Sequence, residues 1–171
     1  YAHALFSYYA ADCVTLNPYL GYESVKPFLS FEDRGMFMLC RTSNPGSDKL
    51  QNLSVYPQSD AGIKGEQTPV KLYIHVAREV CSWSPNIGLV IGATVPEAIR
   101  EIRRELPEVW MLCPGIGAQG GSLEESLECG LREDGMGILP MVGRSIYQDQ
   151  YPGEKAGWFC EQINKVIERR R

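Results

Sequence analysis

Histidine is scarce in this sequence, and no two cysteines lie close together. The 171 residues include two histidines and six cysteines, and no Cys-x-x-Cys pair occurs. Zinc sites built from cysteine and histidine need clustered ligands of these types. The sequence therefore argues against a metal site. The dispersed cysteines, several within apolar runs, are expected to be free thiols in a reducing, cytoplasmic compartment.

Long apolar runs and long basic stretches are also missing. No apolar run approaches the roughly 18–20 residues that a membrane span needs. The net charge is −4, and basic residues follow one another at length only in residues 169–171, which argues against a nucleic-acid surface. The chain starts at Tyr1 without a basic segment or an initiator Met, so we expect no secretory signal and a start inside a longer protein.

Short apolar runs alternate with Gly-, Pro- and Ser-rich loops and with amphipathic stretches. This alternation predicts a parallel sheet covered by helices, either an open doubly wound sheet or a β/α barrel. A whole eight-stranded barrel typically needs about 250 residues, so five units in this chain leave room for about three more. Residues 47–67 are too long for an ordinary connection and are expected to form a hairpin or a mobile insertion. The predicted strands are residues 13–16, 36–40, 88–91, 110–113 and 136–140.

Glycines follow the fourth predicted strand and an arginine follows the fifth. Parallel folds place ligands at the carboxyl ends of their strands, and barrel phosphate sites recur in the last two loops. Backbone N–H groups of a Gly-rich loop can form an anion-binding nest, and the guanidinium of Arg144 can bind phosphate in a bidentate manner. A tight turn and a surface salt bridge are the alternatives. The candidate loop glycines are Gly115, Gly117, Gly120 and Gly121.

Hydroxyl side chains follow the second predicted strand. Thr42 and Ser43 could bind the polar edge of a ligand, or Ser43 could simply form the turn before Asn44. No histidine or cysteine constellation indicates nucleophilic catalysis.

Four segments in this order together resemble orotidine 5′-phosphate decarboxylases. The segments are residues 14–21 (VTLNPYLG), 41–46 (RTSNPG), 113–121 (CPGIGAQGG) and 142–147 (VGRSIY). Their forms resemble the branch found in many bacteria and in some eukaryotic fusion enzymes. The resemblance implies a (β/α)8 TIM barrel, of which residues 1–171 would be the C-terminal portion of one domain with about the last five βα units.

The resemblance also implies a function and roles for individual residues. The family removes carbon dioxide from orotidine 5′-phosphate without a cofactor, giving UMP in de novo pyrimidine biosynthesis, usually as a cytoplasmic homodimer. Ser43 would bind the pyrimidine edge, and Pro114 and Ile116 would form an apolar wall near the base. Gln119 and the backbone of Gly143 and Arg144 would hold the phosphate, whose charge the Arg144 side chain would neutralise.

The family's catalytic motif is absent. No Asp-x-Lys-x-x-Asp occurs in this sequence, so the lysine that protonates the substrate and its partner carboxylates are missing. The chain is then a fragment or a truncated relative, and we expect it to be inactive by itself. Two alternatives remain: a related barrel enzyme that acts on another phosphate compound, and a non-catalytic module that binds a phosphate ligand. Fusion to an orotate phosphoribosyltransferase, known among family relatives, is a further possibility.

Overall fold

The computed structural model describes residues 1–57 and 68–170, and its centre is a five-stranded parallel sheet. The strands of this sheet are β1 (Cys13–Leu16), β2 (Gly35–Arg41), β5 (Ile87–Ile91), β6 (Met111–Pro114) and β7 (Ile138–Met141). A separate antiparallel pair is formed by β3 (Ser54–Val55) and β4 (Val70–Lys71). The order across the large sheet is β1-β2-β5-β6-β7.

This strand order decides between the two predicted architectures. Every neighbouring pair in the large sheet is parallel, and the spatial order follows the chain without a reversal. A doubly wound sheet reverses its order at a switch point, whereas a barrel winds in one direction. The predicted partial barrel with five βα units is therefore confirmed.

Helices follow the strands in sequence. They are α1 (Tyr22–Leu29), α2 (Asp48–Gln51), α3 (Leu72–Cys81), α4 (Pro96–Glu105), α5 (Leu123–Gly130), α6 (Arg144–Tyr147) and α7 (Pro152–Arg169). A π-helical segment, Ala4–Tyr8, precedes β1, and a 3-10 turn, Pro18–Leu20, follows it. Within the described residues, none of these helices combines the length and the apolar character needed to cross a membrane.

The two faces of the sheet differ in burial because successive side chains of a strand point to opposite faces. In β2, Met36, Met38 and Cys40 are buried in the core, and the residues between them are only half-buried. In β7, Ile138 is buried while Leu139 is 41% exposed. The core therefore lies between the sheet and its helices, and the opposite face is open.

The start of α3 does not follow the local sequence. Thr68 and Pro69 are typical of a helix start, but the chain first pairs Val70 and Lys71 with β3, and the helix begins at Leu72. The pairing of these two residues with β3 keeps the backbone extended, although the sequence before them favours a helix start. Residues 47–57 of the predicted insertion contain α2 and β3, and residues 58–67 lie outside the described residues.

The buried side of α7 is not decided by apolar character alone. Trp158 and Cys160 are exposed, whereas Phe159 and Val166 are buried. Cys13 is exposed as well, because β1 is the edge strand of the sheet. Apolar character predicted these segments correctly, but it did not show which strand would stand at the edge.

Candidate functional site

The Gly-rich segment after β6 is a compact, internally hydrogen-bonded loop. Gly115, Gly117 and Gly120 have φ angles of 101°, 71° and 86°, a region that side chains with a Cβ rarely adopt. The N–H of Gly121 donates to the carbonyl of Gly115 at 3.0 Å, and the N–H of Gly117 donates to the carbonyl of Gly121 at 3.0 Å. The loop thus returns to its own start before α5 begins.

Several backbone N–H groups of this loop form hydrogen bonds within the loop itself. The N–H groups of Gly117, Gly120 and Gly121 all donate to carbonyls inside the loop. These three N–H groups are thus engaged within the loop, and the predicted role of the loop glycines in binding phosphate stays a prediction. Their contribution is to shape the turn that carries Gln119, whose side chain is exposed at the top of the loop.

A hydrogen bond joins this loop to the end of β2. The hydroxyl of Ser43 donates to Oε1 of Gln119 at 2.9 Å, across 76 residues of sequence. Because the oxygen of the Gln119 amide accepts this bond, its Nε2 group keeps two hydrogens that can be donated to an anion. Ser43 and Gln119 thus form one polar unit built from two strand ends.

Gly92, directly after β5, packs against the backbone of Ser43. A Cβ atom added at Gly92 would lie 2.7 Å from the Ser43 nitrogen and 2.8 Å from its Cβ. On the other side, a Cβ added at Gly115 would lie 3.3 Å from Cβ of Ser43. Ser43 is therefore held between two glycines that follow β5 and β6, and only residues without a side chain allow this approach.

Replacing Gly92 with alanine is expected to lower the free energy of unfolding by about 1–3 kcal/mol, because the new methyl overlaps backbone atoms that cannot move away cheaply. Chemical denaturation measures this change. Gly157 in α7 is the matched control, since a Cβ there meets no atom within 4 Å and Gly→Ala inside a helix stabilises by about 0.5–1 kcal/mol. Equal stability of the two variants would contradict the close packing around Ser43.

The loop also touches the helix that carries Arg144. A Cβ added at Gly117 would collide with the hydroxyl of Ser145 in the first turn of α6. Arg144 is the first residue of α6, next to the N-cap residue Gly143, and its side chain is exposed. Among the residues that the structure describes, its guanidinium forms no ion pair or hydrogen bond. Within the described residues, Arg144 therefore does not form the surface salt bridge that was the alternative interpretation.

The remaining predicted site residues differ in their burial and in their contacts. Thr42 is half-buried, and its backbone and hydroxyl are bonded to residues of α2 and the turn before it. Pro114 ends β6 and is half-buried, whereas Ile116 is 3% exposed and packs in the core. The predicted contact of Pro114 and Ile116 with a ligand base stays a prediction.

The buried thiols near the site are not poised as nucleophiles. Burial raises the pKa of Cys113 in β6 to about 12, and the neighbouring Ser126 hydroxyl opposes the rise only in part. Burial likewise raises the pKa of Cys40 in β2 far above its ordinary value. A thiol must lose its proton to attack a substrate, so neither cysteine is suited to covalent catalysis near pH 7. In residues 1–57 and 68–170, no cluster of three His, Cys, Asp or Glu side chains could hold a metal ion.

Comparison with known families identifies the relatives of this architecture. Residues 1–158 match the model of the orotidine 5′-phosphate decarboxylase / HUMPS family. The chain belongs to this family. A similar protein named orotidine 5′-phosphate decarboxylase, from Thermomicrobium roseum, is 42% identical over 177 residues, which cover 100% of the chain and 59% of that relative.

Solved structures of the family share this fold. The structure of the Leishmania donovani OMP decarboxylase is 39% identical with a TM-score of 0.83, and the match covers 98% of the chain and 62% of that protein. The Leishmania donovani UMP synthase is 42% identical with a TM-score of 0.86, and the match covers 98% of the chain and 36% of that protein. The chain thus spans little more than half the length of the decarboxylases it matches.

The sequence alone assigned no packing role to three residues that contribute to the site. Gly92 and Ser145 pack against predicted site residues, and Arg41 bonds Thr42 from inside the protein. Gly92 could have been found, because it directly follows a fully apolar strand at the edge where ligands bind. Arg41 and Ser145 lie within the matched segments 41–46 and 142–147, but their contacts could not be predicted because they depend on how distant loops meet.

Proposed function

We propose that the intact protein, meaning this chain together with the remainder of its barrel, decarboxylates orotidine 5′-phosphate to UMP in de novo pyrimidine biosynthesis. The chain would supply the part that binds the phosphate and the pyrimidine. The observation that carries this proposal is the hydrogen bond from Ser43 to Gln119, because it links the two strand ends that we expect to bind the pyrimidine and the phosphate.

The site chemistry fits a nucleotide with a phosphate at one end. Within the described residues the Nε2 group of Gln119 donates no hydrogen bond, and Arg144 at the start of α6 offers a fixed positive charge with five N–H donors. The hydroxyl of Ser43, at the other end of the polar unit, can bond the polar edge of a pyrimidine. Binding energy from the phosphate, which does not react, can then be used to orient and strain the ring.

The proposed reaction divides between this chain and the rest of the barrel. The bond from C6 to the carboxylate breaks, the electron pair stays on C6, and carbon dioxide leaves. C6 then takes up a proton, for which the family uses a lysine that this sequence does not contain in its Asp-x-Lys-x-x-Asp setting. No redox change occurs, and, as the family resemblance implies, we propose that no cofactor takes part. The chain's own residues bind and orient the substrate.

Assembly and location are also proposals. A homodimer is supported by exposed apolar side chains in the segment after β1, where Tyr19 and Leu20 are 84% and 81% exposed. Fusion to an orotate phosphoribosyltransferase is supported by the match to a protein named UMP synthase. A cytoplasmic location rests on the six free cysteines.

A ligand comparison tests the proposed substrate class. The intact protein is expected to bind UMP at least about tenfold more tightly than ribose 5-phosphate, because the base adds the bond to Ser43 and apolar contacts. Isothermal titration with both ligands measures the ratio. Equal affinities would favour a related barrel enzyme acting on sugar phosphates. UMP binding without release of carbon dioxide from orotidine 5′-phosphate would favour a non-catalytic module.

A further inference from the structure

Arg41, the last residue of β2, carries a buried charge that is surrounded by neutral oxygen atoms. It is 6% exposed, and in the part of the chain that the structure describes no Asp or Glu lies within ion-pair distance of it. A buried charge is costly unless hydrogen bonds satisfy it. Its guanidinium meets four neutral oxygens instead: Thr42 O at 2.8 Å, Ser47 Oγ at 2.8 Å, Gln51 Oε1 at 3.1 Å and Asn52 Oδ1 at 3.2 Å.

The same groups hold every polar atom of Thr42. Oε1 of Gln51 accepts from the Thr42 N–H at 2.9 Å, and Nε2 of Gln51 donates to the Thr42 hydroxyl at 3.1 Å. The Ser47 hydroxyl and Arg41 both donate to the Thr42 carbonyl. Thr42 is thus fixed on its N–H, carbonyl and hydroxyl, and we refer to Arg41, Ser47 and Gln51 as the Thr42 clamp.

The Thr42 clamp also restricts Ser43, the next residue in the chain. Fixing the peptide between Thr42 and Ser43 sets the direction from which the Ser43 side chain leaves the backbone. Gly92 closes the space on the other side, so Ser43 keeps little freedom except at its own χ1 angle. Its hydroxyl then reaches Gln119 at 2.9 Å.

We propose that Arg41 and Gln51 are positioning residues that clamp Thr42 so that Ser43 presents its hydroxyl to the pyrimidine end of the nucleotide. This inference rests on the proposed function. It assigns Thr42 a different role from the ligand contact expected from sequence, since the polar groups of Thr42 are already bonded within the protein. Within the described residues the clamp touches neither Arg144 nor the Gly-rich loop and reaches Gln119 only through Ser43, so its loss is expected to act more on base recognition than on phosphate binding.

The experiment compares two neighbouring side chains that both accept from Arg41. Gln51→Met keeps the size of the side chain but removes its bonds to Thr42, whereas Asn52→Ala removes only a bond to Arg41. In the intact protein, Gln51→Met is expected to weaken UMP binding about tenfold and to change ribose 5-phosphate binding less than about twofold. Asn52→Ala is expected to change both by less than about twofold.

A conservative variant separates positioning from simple destabilisation. Gln51→Glu keeps an oxygen that accepts from Arg41 and from the Thr42 N–H, so UMP binding is expected to return to within about threefold of wild type. Unchanged UMP affinity in Gln51→Met would overturn the inference. Equal losses for UMP and ribose 5-phosphate would do so too, because a loss of folded protein affects both ligands alike.

Amide hydrogen exchange keeps this test separate from the proposed function. If wild type binds UMP no more tightly than ribose 5-phosphate, the proposed function fails, and the clamp is judged without any ligand. Gln51→Met is then expected to speed exchange at the Thr42 amide, and Asn52→Ala is not. Unchanged exchange in Gln51→Met would overturn the clamp itself.

Discussion

Replacing Arg144 with alanine is expected to lower kcat/KM of the intact protein for orotidine 5′-phosphate by about 10²–10³-fold. Arg144 is the fixed positive charge next to the loop that carries Gln119, and a phosphate dianion left without it keeps an uncompensated charge. Saturating substrate is not expected to restore kcat, because binding energy at the phosphate orients the reacting ring. Steady-state kinetics with UMP detection measures both constants.

The structure makes Arg144 a clean target for this test. Its side chain is exposed and has no ion pair or hydrogen bond in residues 1–57 and 68–170, so its removal is expected to leave the free energy of unfolding within about 0.5 kcal/mol of wild type. Arg104 in α4 is a matched control, being exposed and likewise without a hydrogen bond in the described part. Arg104→Ala is expected to keep wild-type kinetics.

Arg144→Lys tests whether the planar geometry of the guanidinium matters for phosphate binding. Arg144→Lys keeps the charge but loses the planar fork that bonds two phosphate oxygens at once, so its kcat/KM is expected to lie between those of wild type and Arg144→Ala. If Arg144→Ala leaves both kinetic constants unchanged, Arg144 does not hold the phosphate.

The strand ends that form the site could be predicted because each apolar run is followed by residues with a physical reason to be there. Glycines after β6 and the Gly143-Arg144 pair after β7 stand at the carboxyl ends of parallel strands, where ligands bind. The predicted positions of the strands alone place these residues at one edge of the sheet. No side-chain contact had to be known for this prediction.

The connections between these strand ends could not be predicted in the same way. Whether the N–H of Gly121 faces a ligand or the carbonyl of Gly115 depends on the φ angles of the whole loop, which composition leaves open. The bond from Arg41 to Gln51 depends on α2 folding back over the end of β2. Cys13 is exposed because β1 has a neighbouring strand on only one side, which its apolar surroundings in the sequence did not indicate.

The 171-residue chain by itself is expected to show no turnover of orotidine 5′-phosphate above the uncatalysed background. The proposed proton donor and its carboxylate partners are not in the sequence, so only substrate binding remains. Remote binding without a group that protonates C6 cannot complete the reaction. A sensitive assay for release of carboxyl-labelled carbon dioxide measures this, and turnover by the purified chain would contradict the proposed division of labour.

The open face of the sheet gives a physical reason why the chain needs a partner segment. Leu139 and Met141 in β7 are 41% and 49% exposed, and Phe37 and Leu39 in β2 are half-buried on the side opposite the helices. Apolar area left in water costs roughly 25 cal/mol per Å², so covering this face is favourable. In a closed barrel these alternate strand residues fill the interior.

A complementation experiment tests two expectations together: that the catalytic groups lie outside this chain, and that a partner segment covers the open face of the sheet. The part of a full-length family relative that lies outside the matched region, supplied as a separate polypeptide, is expected to close the barrel and to produce turnover that neither polypeptide shows by itself. The same mixture made with Arg144→Ala is the control, and it is expected to associate equally well while losing most of the turnover. Association with restored turnover would show that this chain contributes the substrate-holding half. Association without turnover, in the presence of an intact Asp-x-Lys-x-x-Asp motif, would show that the strand ends described above do not position the nucleotide for decarboxylation.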